Sequence, residues 1–424
     1  MTGIFKLYRD AFRGIPRDVW LFSVVAFVNR VGTMVLPFLV LYLTQERGFS
    51  PVLAGAVISL YGVGSVAGTL GGGWLSDRID PVRLQVLTLT AAAVLFTLLG
   101  WLRGPVAIAC GTLAVGFAAE CFRPANSLAI AQASGPEDKV RSFALRRLAL
   151  NLGMTFGPAI GGVLAVRNYA WLFPVDGFTC LMATIPLWLL LRRRADLGNV
   201  DPQALPRNEQ PSSEEQSPAD AAVRSPWRDG PFLAVAGLST LSALLLFQLW
   251  AAWPLALHGT YRMAEDQIGL LMAINTLVIV ALEMALAQWL KDRAPLRVAA
   301  VGALLLGLGV GGILWGSTIG FAVLLVVVWT FGEMLLFPFL EGFVAHRAQG
   351  PMAGRFMGIF ASSFSVAFVL APGLGTWIYT HWGPAYLWHG CSVMAVLLCL
   401  LFLRVARRLE RPRVGTAASP QAAR

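Results

Sequence analysis

Residues 192–230 have the sequence RRRADLGNVDPQALPRNEQPSSEEQSPADAAVRSPWRDG and form the one long polar run in a chain of 424 residues. The run is rich in proline, serine, glutamine and acidic residues and poor in large apolar ones. A segment of this composition cannot bury enough apolar surface to fold alone, so we interpret it as a flexible linker. It divides the chain into residues 1–191, the linker 192–230, residues 231–404 and a basic tail at 405–424.

Short strings recur on the two sides of this linker. Four matches share an offset of 214 or 215 residues, which indicates an internal duplication with the linker between the copies. The matches are WLSDR at 74–78 with WLKDR at 289–293, GPAIG at 157–161 with APGLG at 371–375, FRP at 122–124 with LFP at 336–338, and Arg141 with Arg355.

The composition is that of a membrane protein. Hydrophobic residues make up 57% of the chain and charged residues only 13%, whereas soluble domains carry about 25% charged residues. Apolar windows of about 20 residues are long enough to cross a bilayer as helices. We predict an all-α membrane protein whose twelve transmembrane helices form two parallel six-helix halves related by an axis along the membrane normal. The predicted spans are 18–44, 51–74, 84–102, 105–131, 143–166, 171–191, 231–257, 267–290, 296–316, 318–343, 354–380 and 385–404.

The placement of basic residues predicts the orientation. If both termini and the linker are cytoplasmic, the cytoplasmic loops and the span ends beside them hold 27 of the 33 Lys and Arg residues, including Lys139, Arg141, Arg146 and Arg147 after span four. The opposite side holds only Arg47, Arg103, Arg167 and Arg262. This positive-inside bias accounts for the net charge of +10 without a nucleic-acid partner. The basic residues before span one and the length of its apolar run also predict that no signal peptide is cleaved.

The residue inventory argues against several classes of protein. The five cysteines contain no CxxC pair, and the four histidines show no metal-ligand spacing. No Walker-type phosphate loop is present, and no clustered nucleophile and base indicates an enzyme. The sequence therefore predicts a non-enzyme without a cofactor or a metal, in which any transport is driven by a gradient or runs downhill.

Two motifs resemble a known family. Residues 71–78 (GGGWLSDR) resemble the cytoplasmic loop signature of the major facilitator superfamily, although Asp80 stands where the family has glycine. Residues 153–162 (GMTFGPAIGG) resemble the signature of its proton-linked drug antiporters. Residues 29–32 (NRVG) are also similar to the first span of proton-coupled peptide transporters, whose glutamate-rich motif is missing here. The resemblance implies a monomeric transporter of the bacterial inner membrane whose halves rock around a midplane site.

The same motifs predict moving parts. The resemblance implies that Asp77 and Arg78, repeated as Asp292 and Arg293, form a latch that holds the cytoplasmic side closed. The alternative is an ordinary solvated ion pair, which contributes little. In span five, small residues and one proline permit close helix packing, which is compatible with a gating role. These residues are Gly153, Gly157, Pro158, Gly161 and Gly162.

Five of the charged residues inside predicted spans are candidates for the transport site. Each charge in the bilayer core costs roughly 2.5–3.5 kcal/mol, so such residues usually face a cavity or a partner. Glu120 and Arg123 lie three residues apart on one helix face, and a self-neutralised structural pair is the alternative there. Glu333, which has no charged neighbour on its own helix face, is the first candidate for proton coupling. Glu120 and then Glu283 follow, with Arg30 and Arg123 as their charge partners.

Together these features predict a proton-coupled transporter that exports small amphipathic organic compounds. Its partners are the substrate, protons and the lipid bilayer. Proton-coupled uptake on the same fold and a non-transporting membrane sensor remain as alternatives. Residues predicted to line the cavity are Asn29, Tyr61, Phe247, Trp250 and Trp329.

Overall fold

The computed structural model describes residues 14–76, 78–135, 139–196, 225–290, 292–347 and 353–410. Twelve helical segments in these ranges are long and apolar enough to cross a membrane. Six precede residues 197–224 and six follow them, and no β-strand occurs in the described ranges. The prediction of an all-α membrane protein with two six-helix halves is confirmed. Asp77 and most of the linker lie outside the described residues.

The helices follow one another with short connections. Span one consists of α1 and α2, spans two to six are α3 to α7, span seven is α8, and spans eight to twelve are α10 to α14. Their bounds are α1 Arg17–Val31, α2 Val35–Leu41, α3 Pro51–Ser76, α4 Pro81–Leu99, α5 Pro105–Ala133, α6 Lys139–Arg167, α7 Leu172–Asp196, α8 Gly230–Leu246, α9 Ala252–Gly259, α10 Glu265–Leu290, α11 Pro295–Gly311, α12 Ile319–Arg347, α13 Ala353–His381 and α14 Pro384–Glu410.

Proline and aspartate set many of the helix starts. Pro51, Pro81, Pro105, Pro295 and Pro384 each begin a helix, where the missing N–H has no intrahelical partner in any case. The side chain of Asp80 accepts hydrogen bonds from the backbone N–H groups at the start of span three. The residue that departs from the family glycine therefore acts as a helix cap here.

Span one is broken in its middle, and a buried carboxylate supports the break. The N–H groups of Met34 and Val35 donate to the carboxylate of Asp176 at 2.9–3.2 Å. Asp176 comes from span six and is fully buried. Because water is absent from the hydrocarbon region, uncapped N–H groups at a mid-membrane break would cost several kcal/mol. Asp176 caps α2 and so permits the break.

Internal prolines recur at equal offsets in the two halves. Pro124 lies inside span four and Pro338 inside span ten, while Pro158 lies inside span five and Pro372 inside span eleven. Each pair is 214 residues apart, as the predicted duplication requires. The domain limits and the duplication itself stay predictions, which these matched positions support.

The halves meet through two matched contacts. A Cβ added to Gly55 in span two would lie 2.7 Å from the carbonyl oxygen of Pro372, and one added to Gly269 in span eight would lie 2.2 Å from that of Pro158. Both members are again offset by 214 residues. We call the side where residues 76–81, 133–139 and 290–295 connect the spans the linker end, and the other side the far end. Both contacts lie toward the far end, where side chains larger than glycine do not fit.

Candidate functional site

A cavity, about 420 Å³ including its open mouth, lies between the halves, toward the linker end. Span five of the first half contributes Arg147 and Asn151, and spans eight and ten of the second half contribute the rest. Three of the lining residues are glutamates, and the others are mostly apolar. The full lining is Arg147, Asn151, Ile279, Glu283, Glu333, Met334, Phe337, Pro338 and Glu341.

An ion pair crosses this cavity from one half to the other. A guanidinium nitrogen of Arg147 donates to Oε1 of Glu283. From the sequence, Arg146 and Arg147 count as cytoplasmic basic residues at the start of predicted span five. In the structure both lie inside α6, which begins at Lys139, and Arg147 lines the cavity. Glu283 therefore has a partner that the sequence interpretation does not supply.

Glu333 lies in the middle of span ten and is half-buried. The side-chain amide of Asn275 donates to its Oε2 at 3.2 Å and to Thr330 Oγ1 at 3.0 Å. Among the residues that the structure describes, no basic side chain forms an ion pair with Glu333. Glu333 thus faces the cavity and accepts a hydrogen bond from one neutral donor, Asn275. Arg147 lines the same cavity but is paired with Glu283.

A second cavity, about 400 Å³ including its open mouth, lies within the first half. It contains Arg30 from span one, Glu120 from span four and Asp176 from span six, and Asn29 and Tyr61 also line it. Glu120 accepts a hydrogen bond from Arg123 at 3.1 Å, which matches the predicted same-face pair. The Arg123 side chain is 60% exposed, so this pair is only partly desolvated.

A polar network near the linker end of the first half has no counterpart in the sequence interpretation. Asn126 donates to Gln85 Oε1 at 3.0 Å and to the Phe22 carbonyl at 3.1 Å, and it accepts from Arg146 Nε at 2.8 Å. Uncharged amides such as Gln85 and Asn126, which lie in different spans, give no periodic signal in the sequence. Only the tertiary structure brings Gln85, Asn126 and Arg146 together.

Three of the predicted lining aromatics gather around a residue that the sequence interpretation missed. Tyr61, Phe247 and Trp250 lie with ring centroids 6.2, 4.9 and 6.4 Å from that of Phe368 in span eleven. Phe364, one turn away, contacts Phe337 of the first cavity at 4.9 Å. Trp329 instead packs against Gly309 of span nine and is buried. Because Tyr61 lines the second cavity and Phe337 lines the first, the aromatic cluster adjoins both cavities.

At the far end, one carboxylate links the halves. Tyr169 of the first half donates its hydroxyl to Glu265 Oε1 of the second half at 2.5 Å. His258 Nδ1 lies 3.5 Å from the same oxygen, and Gln45 Oε1 lies 3.3 Å from the Tyr169 hydroxyl. The backbone of Glu265 also packs on Gly162, where a Cβ would lie 2.4 Å from its carbonyl oxygen. The far end is therefore closed by packing and by hydrogen bonds.

The sequence matches the family model of the Major Facilitator Superfamily over residues 22–253 and 235–423. The chain belongs to this superfamily. It is 22% identical over 396 residues to the uncharacterized MFS-type transporter YqjV of Bacillus subtilis (strain 168), covering 92% of this chain and 93% of that protein. It is 24% identical over 370 residues to a Na(+), Li(+), K(+)/H(+) antiporter of Planococcus maritimus, covering 82% and 85%.

A solved structure shows the same fold. A POT family transporter in complex with 5-aminolevulinic acid superposes with a TM-score of 0.78 at 16% identity, covering 94% of this chain and 98% of that one. Homologues and structural neighbours of this major facilitator protein are transporters. The predictions of the superfamily, of a membrane transporter and of a non-enzyme are confirmed.

The superfamily's span-five motif has two separate faces in the structure. Added Cβ atoms at Gly153, Gly157 and Gly161 would meet span one at 2.6–3.0 Å. Pro158 and Gly162 instead contact the start of span eight in the other half. The first face packs closely against span one, as the packing interpretation requires. The second face lies at the boundary between halves, where the gating interpretation requires it.

The superfamily's loop motif is described only in part. Asp77 lies outside the described residues, so its cap or latch role stays a prediction. The guanidinium of Arg78, just after α3, stacks on the ring of Trp74 in the last turn of α3 at 3.7 Å and donates to the Trp74 carbonyl. Asp292 and Arg293 are exposed. The cytoplasmic latch therefore stays a prediction.

Proposed function

We propose that this major facilitator protein is a proton-coupled secondary transporter that exports small amphipathic organic compounds by alternating access. The closed far end and the cavity toward the linker end fit one state of a rocking pair of halves. We further propose that the linker end is cytoplasmic, because the basic residues collect there. We also propose that the protein lies in the bacterial inner membrane and functions as a monomer.

The observation that carries proton coupling is the position of Glu333. A charged carboxylate within a span is costly unless it faces a cavity or a partner. Glu333 faces the cavity between the halves, and a neutral amide is its hydrogen-bond donor. We assign proton binding to Glu333 first. Glu120 is second because Arg123 already holds it, and Glu283 is third because Arg147 holds it.

The charge balance of the cavity favours antiport over symport. With all groups ionised, Glu283, Glu333 and Glu341 oppose one basic residue, Arg147, so the cavity attracts a positive charge. A proton on Glu333 weakens that attraction. A cationic amphipathic compound and a proton would then compete for the cavity, and such competition is the basis of exchange. Ile279, Met334 and Phe337 offer an apolar wall to the rest of the compound.

Other readings of the fold remain testable. The relative from Planococcus maritimus favours monovalent cations as a second substrate candidate. Within the described ranges, however, no three acidic, histidine or cysteine side chains converge as a metal ion would need. An uptake symporter would share the fold and most of the charges. A sensor would bind ligand without proton-linked flux.

The test is flux through the purified protein in proteoliposomes with an imposed pH gradient. The compound panel contains lipophilic cations, a neutral amphipathic compound and Na⁺ or K⁺, and vesicles of both orientations separate export from uptake. We expect gradient-driven flux of the lipophilic cations. Flux of Na⁺ or K⁺ alone would mean that the substrates are monovalent cations rather than amphipathic compounds. Binding of a compound without flux would favour the sensor.

Glu333→Gln keeps the shape of the side chain and its bond from Asn275 but removes the titration. We expect this variant to lose gradient-driven flux while retaining most of the substrate exchange without a gradient. Glu46→Gln, at an exposed far-end position, serves as the matched control and should retain both. Wild-type gradient-driven flux in Glu333→Gln would exclude Glu333 as the carrier and direct attention to Glu120 or Glu283.

A further inference from the structure

A histidine and a glutamate of the second half meet at the closed far end. His258 lies in the last turn of α9, and Glu265 lies in the first turn of α10. His258 Nδ1 lies 3.5 Å from Glu265 Oε1. This nitrogen is buried and forms no hydrogen bond with any residue that the structure describes. A proton on Nδ1 would complete the missing hydrogen bond and turn the contact into an ion pair.

Glu265 is buried with a partner whose charge depends on pH. Its side chain is only 11% exposed, and its Oε1 accepts the hydroxyl of Tyr169 from the first half. Within the described ranges, no lysine or arginine forms an ion pair with it. The positive end of the α10 dipole favours the ionised carboxylate. The proton of the pair therefore belongs on His258, and histidine is the side chain that ordinarily titrates between about pH 5 and 8.

The other charged side chains of the neighbouring segments are engaged elsewhere or exposed. Arg47 donates to the Tyr42 hydroxyl at 2.6 Å and to the Gly100 carbonyl at 3.3 Å. The amide of Gln45, whose Oε1 lies 3.3 Å from the Tyr169 hydroxyl, is uncharged. The exposed titratable residues are Glu46, Arg167, Arg262, Asp266 and His381. In the described part of the chain, none of these forms an ion pair with His258 or Glu265.

Closure of the far end buries this pair, and the cost of burial depends on its charge. Opening would separate Glu265 from Tyr169 and expose the carboxylate to water. With His258 neutral, closure buries one uncompensated negative charge, whereas with His258 protonated it buries a neutral pair. An uncompensated buried charge is much the more costly of the two. The closed state therefore binds the proton more tightly, so closure is favoured as the pH falls and is lost as the pH rises.

We propose that His258 and Glu265 form an outer proton-binding site, and that the far end closes when this pair holds one proton. A proton from the outer solution binds His258 Nδ1, and the imidazolium donates it in a hydrogen bond to Glu265. The pair releases this proton to the same side when the far end reopens, so net proton transport remains with Glu333. The inference rests on the proposed function and deepens it, because the proposed orientation places the far end outside the cell.

The test is the distance between two spin labels at the far end, measured by double electron–electron resonance on the full-length protein in lipid nanodiscs. Arg103→Cys in the first half and Ser317→Cys in the second introduce the labels at exposed positions, in a protein without its native cysteines. Short and long distances report the closed and the open far end. Their ratio is measured from about pH 8 to about pH 5. Every sample carries Glu333→Gln, so that this carboxylate adds no titration.

With the pair intact, we expect the ratio of closed to open protein to rise by about two- to fivefold as the pH falls, the range that a partly exposed ion pair supplies. His258→Gln leaves Glu265 without a proton-binding partner, so the ratio should stay at its high-pH value. Glu265→Gln removes the buried charge and keeps an oxygen for Tyr169, so the ratio should stay at its low-pH value. A purely structural role would shift both variants in the same direction and would overturn the proposal.

His381→Gln is the matched control. His381 is an exposed histidine at the far end of span eleven, and its Nδ1 lies 3.0 Å from the Trp377 carbonyl of the same helix. This variant should keep the pH response of the intact pair. A pH response that survives in His258→Gln, one that disappears in His381→Gln, or a ratio that is constant with the pair intact would overturn the proposal.

Distances and flux separate this inference from the proposed function. A far end that closes with falling pH and depends on His258, in a protein without proton-driven flux, would support the outer site and remove the transport proposal. Proton-driven flux through a protein whose far end does not respond to pH would do the reverse.

Discussion

The two halves share a backbone plan but differ in the charges that face their cavities. The first half holds an ion-paired Glu120 and Arg30, which forms no ion pair within the described ranges, whereas the second half contributes three glutamates and takes its cation, Arg147, from the first. At the 214-residue offset, Ala119 corresponds to Glu333 and Leu244 to Arg30. The positions shared inside the spans include prolines and glycines that shape helices. The charged side chains therefore differ between the halves, and those of the first cavity come together at the boundary between the halves.

The largest effect is expected at the matched contacts between the halves. Gly269→Val would place side-chain atoms against the Pro158 carbonyl, whose oxygen lies 2.2 Å from an added Cβ. Overpacking of this kind costs about 1–3 kcal/mol or forces the far end open. The melting temperature and flux in proteoliposomes would both report it.

Gly55→Val tests whether the matched contact is equivalent. Its nearest backbone atom is more distant, at 2.7 Å, and the closest atom is the rotatable Thr376 hydroxyl. We therefore expect a smaller loss than at Gly269. Gly237→Val in span seven is the control, because an added Cβ there meets nothing within 4 Å. A loss at Gly237 as large as at Gly269 would contradict the role of the contacts.

The next comparison is between two helix caps: Asp176, inside the membrane, and Asp80, at a helix start outside it. Asp176→Asn retains one acceptor oxygen and directs an NH₂ group toward donors that need an acceptor. We expect a loss of about 1–3 kcal/mol in the free energy of unfolding. Asp80→Asn should cost only a few tenths of a kcal/mol, since one oxygen of Asp80 accepts both bonds and asparagine caps equally well. Denaturant melts of both variants check the difference, and equal losses would show that depth in the membrane is unimportant.

These comparisons also explain what could be predicted from the sequence. Apolar windows, the linker and the repeated motifs fix the span number and the two-half arrangement, because bilayer thickness limits helix length. The same windows hide the break at Met34, because the capping residue Asp176 is 142 residues away. Arg147 illustrates another limit. Basic residues at a span end resemble loop residues until the helix start is known.

The sequence singles out individual charges and the Glu120–Arg123 pair within one helix, but it indicates no partner from another helix. Glu333 and Arg30 stand out because a charge in an apolar span is unusual. Asn275 and Phe368 give no such signal, because amides and phenylalanines are common in membrane helices. Which charges are paired depends on contacts between helices that lie far apart in sequence.

A smaller effect is expected from the ion pair that joins the halves across the first cavity. Arg147→Gln, Glu283→Gln and the double variant form a cycle that isolates the pair. The Arg147 side chain is 58% exposed, so solvent screening should limit the coupling to about 0.2–1 kcal/mol. Melting temperatures of the four proteins measure it. A coupling several times larger would mean that the cavity excludes water.

A comparably small effect on stability is expected from the far-end hydrogen bonds, and it separates gating from stability. Tyr169→Phe removes the bond to Glu265 that joins the halves, and Tyr261→Phe removes a 2.7 Å bond to the Ile313 carbonyl within the second half. Each loss should lower stability by about 0.5–1.5 kcal/mol. Only Tyr169→Phe should shift the population toward a state open at the far end, because of these two bonds only the one from Tyr169 joins the halves.

A cysteine at position 59 reports this opening. Ser59 donates no bond across the boundary but accepts one from the Gly373 N–H of the other half at 3.1 Å, so it lies within the closed contact. Ser59→Cys should react with a membrane-impermeant thiol reagent from the far side faster in Tyr169→Phe than in Tyr261→Phe, with the protein lacking that cysteine as background. Equal labelling rates would show that Tyr169 stabilises the fold without holding the far end closed. A faster rate in Tyr261→Phe would place the gate in the second half alone.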